Sequence, residues 1–142
     1  MTFDLSRSER LERWASVIEN YDGPLKPFGE VEFMPSAARA PMRQASSPLA
    51  VAYQDPVLRR AGLGSDRFGE GEAFFGMSRS EAHRVLCSCG YIGTMRAADV
   101  AERIRAVAMR ERRRLWRPVN PLPALARWLS GWRSPSGFTR PA

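Results

Sequence analysis

His83, Cys87 and Cys89 are the one cluster in this sequence with metal-ligand and thiol chemistry, because the chain holds a single histidine and two cysteines. His83 and Cys87 stand four residues apart and meet on one face of a helix. A zinc site needs three or four such ligands, and a catalytic one leaves a position open for water. With no fourth Cys or His, an Asp or Glu has to complete the set. Cys-x-Cys is also not a common zinc spacing. If the helix runs on to Cys89, that side chain points ~160° away from Cys87. The cysteines read better as small apolar residues in a core, with His83 at its rim. Zinc and thiol redox are the alternatives.

Other catalytic patterns are missing from the sequence. Any Ser-His-Asp or Cys-His arrangement must use His83, and nothing near it resembles a nucleophile elbow. Gly62-Leu63-Gly64 and Gly69-Glu70-Gly71 form neither a Walker loop nor a dinucleotide fingerprint, so they read as flexible turns. Asp66, Glu70 and Glu72 lack the spacing of a calcium loop. The expectation is a protein that is not an enzyme and carries no metal or cofactor.

Charge is more informative. The chain carries +7 overall. Residues 1–94 hold 11 Arg or Lys and 12 Asp or Glu, a net of −1, whereas residues 95–142 hold 11 Arg and 3 Asp or Glu, a net of +8. Such asymmetry implies an acidic protein surface, a nucleic acid or an anionic membrane as partner, against the plainer alternative of a solvated helix face. Lys26 is the only lysine, which fits a GC-rich bacterial genome better than a function.

The basic stretch also carries aromatic and aliphatic residues. Arg110, Arg112, Arg113, Arg114, Trp116 and Arg117 precede Pro118, and Asn120-Pro121 then marks a new helix start. On that helix Leu122, Leu125, Trp128, Leu129 and Trp132 share one ~120° arc, with Arg127 opposite and Arg133 just beyond. A short helix of this kind does not recover its ordering entropy alone in water and has to dock on a surface or stay partly disordered. The candidate partner-binding residues are therefore Arg110, Arg112, Arg113, Arg114, Trp116, Arg117, Leu125, Trp128, Leu129, Trp132 and Arg133. A protein partner is expected first, with nucleic acid or an anionic membrane surface as the alternatives and self-docking as the structural one.

The elements that position these residues read as helices. Ser6 with Glu9 forms a capping box, so a first helix starts near Arg7, buries Leu11, Trp14, Ile18 and Tyr21, and stops before Asp22-Gly23-Pro24. Prolines punctuate residues 22–48, leaving a short extended piece at 30–33 and a turn or two of helix within 36–44. Ser47-Pro48 and Asp55-Pro56 each place a cap before a proline at the first helical position, which predicts helices over 48–54 and 56–61, with a hairpin as the alternative. Ser65 is a candidate cap for a helix through Phe75. Ser78 with Glu81 is a second capping box, opening a helix with Ala82, Val85, Leu86 and Cys89 on one face and Gly90 as its stop. Thr94 is the candidate cap of the longest helix, over 95–116, with Ala97, Val100, Ala101, Ile104, Val107 and Ala108 inward and Asp99 four residues before Arg103. Glu111 falls on that apolar arc, so deep packing should end near Ala108.

The two helices within 78–116 invite comparison with a helix-turn-helix, but their connection exceeds the 3–4-residue turn of that motif. The expected architecture is all-α: a single small bundle of mostly short helices over 1–117, followed by a basic amphipathic, partly disordered tail over 118–142. No run approaches the ~18 apolar residues of a membrane span, and the charged N-terminus lacks a signal-peptide core, so a cytoplasmic location is expected. The expected function is a small adaptor or regulatory protein that binds a macromolecule through 110–133. DNA binding by helix 95–116 and a metal or thiol site at His83, Cys87 and Cys89 are the other classes.

Overall fold

A computed structural model describes residues 4–29, 31 and 33–116. They form seven α-helices and one 3-10 turn: α1 (Arg7–Glu19), α2 (Ser36–Arg39), α3 (Pro48–Gln54), α4 (Pro56–Arg60), α5 (Phe68–Phe74), α6 (Arg79–Leu86), the turn Ser88–Gly90, and α7 (Ala97–Leu115). Arg117 and the tail 118–142 lie outside the described residues, as do Glu30 and Glu32 of the expected extended piece.

Local chemistry sets most helix starts. At α1 the Ser6 hydroxyl accepts from the Glu9 amide and the Glu9 carboxylate accepts from the Ser6 amide at 2.8 Å, which satisfies two of the donors a helix N-terminus leaves open. The same box opens α6 through Ser78 and Glu81. Ser47 caps α3, and the Asp55 carboxylate caps α4 by accepting from the Val57 and Leu58 amides. Residues 48–54 are thus helical, and the hairpin alternative does not form.

The longest two helices make the framework. Helix α7 packs chiefly on α1, and the pair is antiparallel: Arg7 at the start of α1 meets Glu111 near the end of α7, while Glu19 at the end of α1 meets Arg105. Leu11, Trp14, Ala15 and Ile18 face Val100, Ala101, Ile104 and Val107 in one continuous core. Trp14 stacks on Phe75 with ring centroids 4.2 Å apart, and its indole N–H donates to the Pro48 carbonyl at 2.9 Å. One side chain thereby ties α1 to the start of α3 and the end of α5.

Helices α2, α3 and α5 pack closely through glycine. A Cβ on Gly71 would lie 2.4 Å from Leu49 Cδ2, and one on Gly69 would lie 2.9 Å from the Ala40 Cα. The Gly69-Glu70-Gly71 stretch lies inside α5, within the helix expected through Phe75 and not in a flexible turn, and its missing side chains are where neighbouring elements approach. Gly62 does serve a turn, at φ +112°.

Three expected boundaries change for tertiary reasons. Helix α5 starts at Phe68, with Arg67 and not Ser65 at its cap position, because the Phe68 and Gly69 amides donate to the Met42 and Ala40 carbonyls. Helix α6 stops at Leu86, because Phe28 runs alongside: its amide donates to the Leu86 carbonyl and its own carbonyl accepts from the Ser88 amide. Cys89 therefore does not share the face of Ala82, Val85 and Leu86, and Gly90 lies in the 3-10 turn beyond the helix end. Helix α7 starts at Ala97 after an extended Arg96, with no side-chain cap; Met95, buried in the core, holds the chain extended past Thr94.

Candidate functional site

Helix α7 changes character along its length. Its inward residues stay buried through Val107 and Ala108, and Met109 is then 60% exposed. The arginines change with it. Arg105 donates from both terminal nitrogens to Glu19 at 2.6 and 2.7 Å and from Nε to Glu12 at 3.0 Å. These contacts hold the Arg105 guanidinium well above its ordinary range and pull the Glu19 carboxyl below its own. Arg103 donates to the Arg84 carbonyl at 2.8 Å and covers the Tyr91 ring at 4.1 Å. Tyr91 in turn donates its hydroxyl to the Val85 carbonyl, and burial pushes its phenol pKa strongly up. The first turns of α7 thus spend their guanidiniums inside the fold.

Beyond Ala108 they do not. Arg110, Arg112 and Arg113 are exposed, and no carboxylate among the described residues pairs with them. Glu111, expected to end the deep packing, is half-buried and accepts from Arg7 at 2.6 Å. Trp116, immediately after α7, is 86% exposed. Met109, Arg113 and Trp116 follow the i, i+4, i+7 spacing of one helical stripe. Arg114 belongs to α7. Arg117, Leu125, Trp128, Leu129, Trp132 and Arg133 fall outside the described residues.

A groove of about 270 Å³ adjoins this end of the helix, between α6 and α7. Val85, Ala106 and Val107 line it together with Arg84, Arg103 and Arg110, and Glu81 is the one acidic residue among its described lining. Arg84 and the groove were not read from the sequence, because the i+4 patterns of two separate helices do not reveal which faces border one another.

The His83 cluster takes a different form from the one expected. His83 is 7% exposed and so buried, not at the rim. Its ring meets Phe68 edge-on at 6.3 Å, and its Nε2 lies 3.5 Å from Arg39 Nη1. Cys87 is buried and Cys89 exposed, and the two are not joined in a disulfide. Among the described residues no three His, Cys, Asp or Glu side chains gather as metal ligands. The acidic group near 66–72 also disperses: Asp66 pairs with Arg43 at 2.8 Å, and Glu70 accepts from the Gly64 amide at 3.3 Å.

For the helix-turn-helix comparison, Cys87 through Arg96 separate α6 from α7, well beyond a 3–4-residue turn. No described helix is long and apolar enough to cross a membrane. No protein-family model, no curated protein and no solved structure matches the chain.

Proposed function

We propose that this chain is a non-enzymatic adaptor or regulatory protein that binds an acidic protein surface through the last turns of α7 and the basic-aromatic sequence after it. The observation that supports this reading is the division of α7: Arg103 and Arg105 are engaged by the chain itself, whereas Arg110, Arg112 and Arg113 project with Met109 and Trp116 and meet no carboxylate among the described residues.

Magnitudes assign roles within that surface. Exposed ion pairs contribute about 0.2–1 kcal/mol each, so the arginines supply steering and register more than affinity. Burial of a large apolar side chain contributes ~1.5–3 kcal/mol, which makes Trp116 and Met109 the anchors, with Trp128 and Trp132 continuing the pattern in the sequence. Aromatic and Arg residues side by side are also the composition of interface hot spots.

The test is native co-purification with the full-length tagged chain, wild type beside Arg110→Glu, Arg112→Glu, Arg113→Glu and beside Trp116→Ala. A specific protein partner should be lost from the triple variant and weakened at least tenfold by Trp116→Ala, while circular dichroism leaves the fold unchanged. Capture of the same proteins by wild type and triple variant would remove the reading. Captured material that disappears with nuclease, and whose binding falls steeply from 50 to 200 mM salt, would replace it with phosphate-backbone binding.

A further inference from the structure

Arg39 closes α2 with 5% of its surface exposed. Its Nη1 lies 3.5 Å from His83 Nε2, and its Nε has no hydrogen-bond partner. A guanidinium carries only donors and stays charged in proteins. Arg39 is therefore a buried cation that no carboxylate among the described residues pairs with, an unfavourable arrangement unless negative charge comes from elsewhere.

His83 also lines an open cleft of about 740 Å³ at the start of α6, together with Ser78, Arg79, Ser80, Arg84 and Cys89. That volume lies within the range of small-molecule sites, about 300–1,000 Å³. None of the described residues that line it is acidic. Arg84 is exposed and has no carboxylate partner among the described residues. Ser80 adds a hydroxyl 3.3 Å from that of Ser78, which is itself engaged with Glu81 in the capping box.

We propose that this cleft binds a phosphate monoester. Its oxygens are held by the Arg84 guanidinium and the Ser80 hydroxyl, and its charge lies toward the buried Arg39–His83 pair. A guanidinium fork and a hydroxyl, with a second guanidinium buried behind them, suit a tetrahedral anion with several acceptors better than a planar carboxylate. The size of the cleft leaves room for the esterified group. The site uses no residue of the projecting end of α7, so it stands or falls apart from the partner reading.

The experiment is an amide NMR titration of the full-length chain at constant ionic strength, with glycerol 3-phosphate, inorganic phosphate and chloride in separate arms. Saturable shifts at Ser80, His83 and Arg84 are expected with the ester, tighter than with inorganic phosphate and absent with chloride. The double variant Ser80→Ala, Arg84→Gln should weaken them at least tenfold, and Arg39→Met should weaken them too. If Arg39→Met does not fold, the double variant decides alone, since both its positions lie at the surface. No saturable shift with either phosphate up to about 10 mM, or an affinity unchanged in the double variant, overturns the site. Equal affinity for inorganic phosphate overturns its assignment to an ester.

Discussion

Arg105 grips Glu19 through both terminal nitrogens, at 2.6 and 2.7 Å, across 86 residues of chain. Its Nε reaches Glu12 as well, so one guanidinium fastens two turns of α1 to the middle of α7. The excess positive charge of the last third is therefore not all available to a partner: part of it holds the two longest helices together.

Arg105→Glu should lower the thermal midpoint, because it sets a third carboxylate against Glu12 and Glu19. The loss should shrink in 1 M salt, where screening acts over about 3 Å. Reversing Arg110, Arg112 and Arg113 should move the midpoint by no more than about 2–4 °C, the range of surface changes that remove no internal contact. Differential scanning calorimetry at low and high salt separates the two sets.

Asp55 does two jobs. Its Oδ1 caps α4 and its Oδ2 accepts from Arg13 at 2.6 Å. Burial pushes this carboxyl up, but the Arg13 guanidinium and the Leu58 and Val57 amides outweigh it and leave the group below its ordinary value of 3.8. A carboxyl with a depressed pKa in the fold stabilises fully above the unfolded value and loses that contribution as pH falls through the folded one. Asp55→Ala should cost about 1–2 kcal/mol at pH 7 from the lost cap, with Asp55→Asn in between. Urea melts should show the gap to wild type narrowing below about pH 4. A gap equal at pH 7 and pH 3 would contradict the charge-based role.

Trp14 and Trp116 should respond in opposite ways to a quencher. Trp14 is fully buried and Trp116 is 86% exposed. A variant that keeps Trp14 alone should resist iodide, and one that keeps Trp116 alone should be quenched readily. Trp14→Ala should cost roughly 3–5 kcal/mol, the usual range for emptying a large aromatic site, because the stack on Phe75 and the bond to Pro48 go with it.

Gly71→Ala should destabilise although it improves helix propensity. The gain is about 1 kcal/mol, whereas the added methyl would lie 2.4 Å from Leu49 Cδ2 in a fully buried position. Overpacking of that kind costs typically 1–3 kcal/mol. The sign of the shift in a denaturant melt is the readout, and a more stable variant would show that Leu49 repacks freely.

Ser6, Ser47, Asp55 and Ser78 announce the starts of α1, α3, α4 and α6 in the sequence itself, because a cap acts on amides two or three residues away. The inward faces of α1 and α7 were legible for a similar reason: helical periodicity is written along the chain. So was the segregation of charge, down to Arg110, Arg112 and Arg113. Positions governed by distant partners were not legible. Ser65 and Thr94 had the right chemistry for caps, but the carbonyls of Ala40 and Met42 take the first amides of α5, and the buried Met95 delays α7. Cys89 left its expected face because Phe28 binds the end of α6. The burial of Arg39 beside His83, the engagement of Arg105 by α1 and the packing of Leu49 on Gly71 are all decided by contacts between residues far apart in the chain. Local hydrogen bonding and periodicity act over one or two turns and can be read from neighbours; which guanidinium keeps its charge for a partner depends on what the folded chain sets beside it.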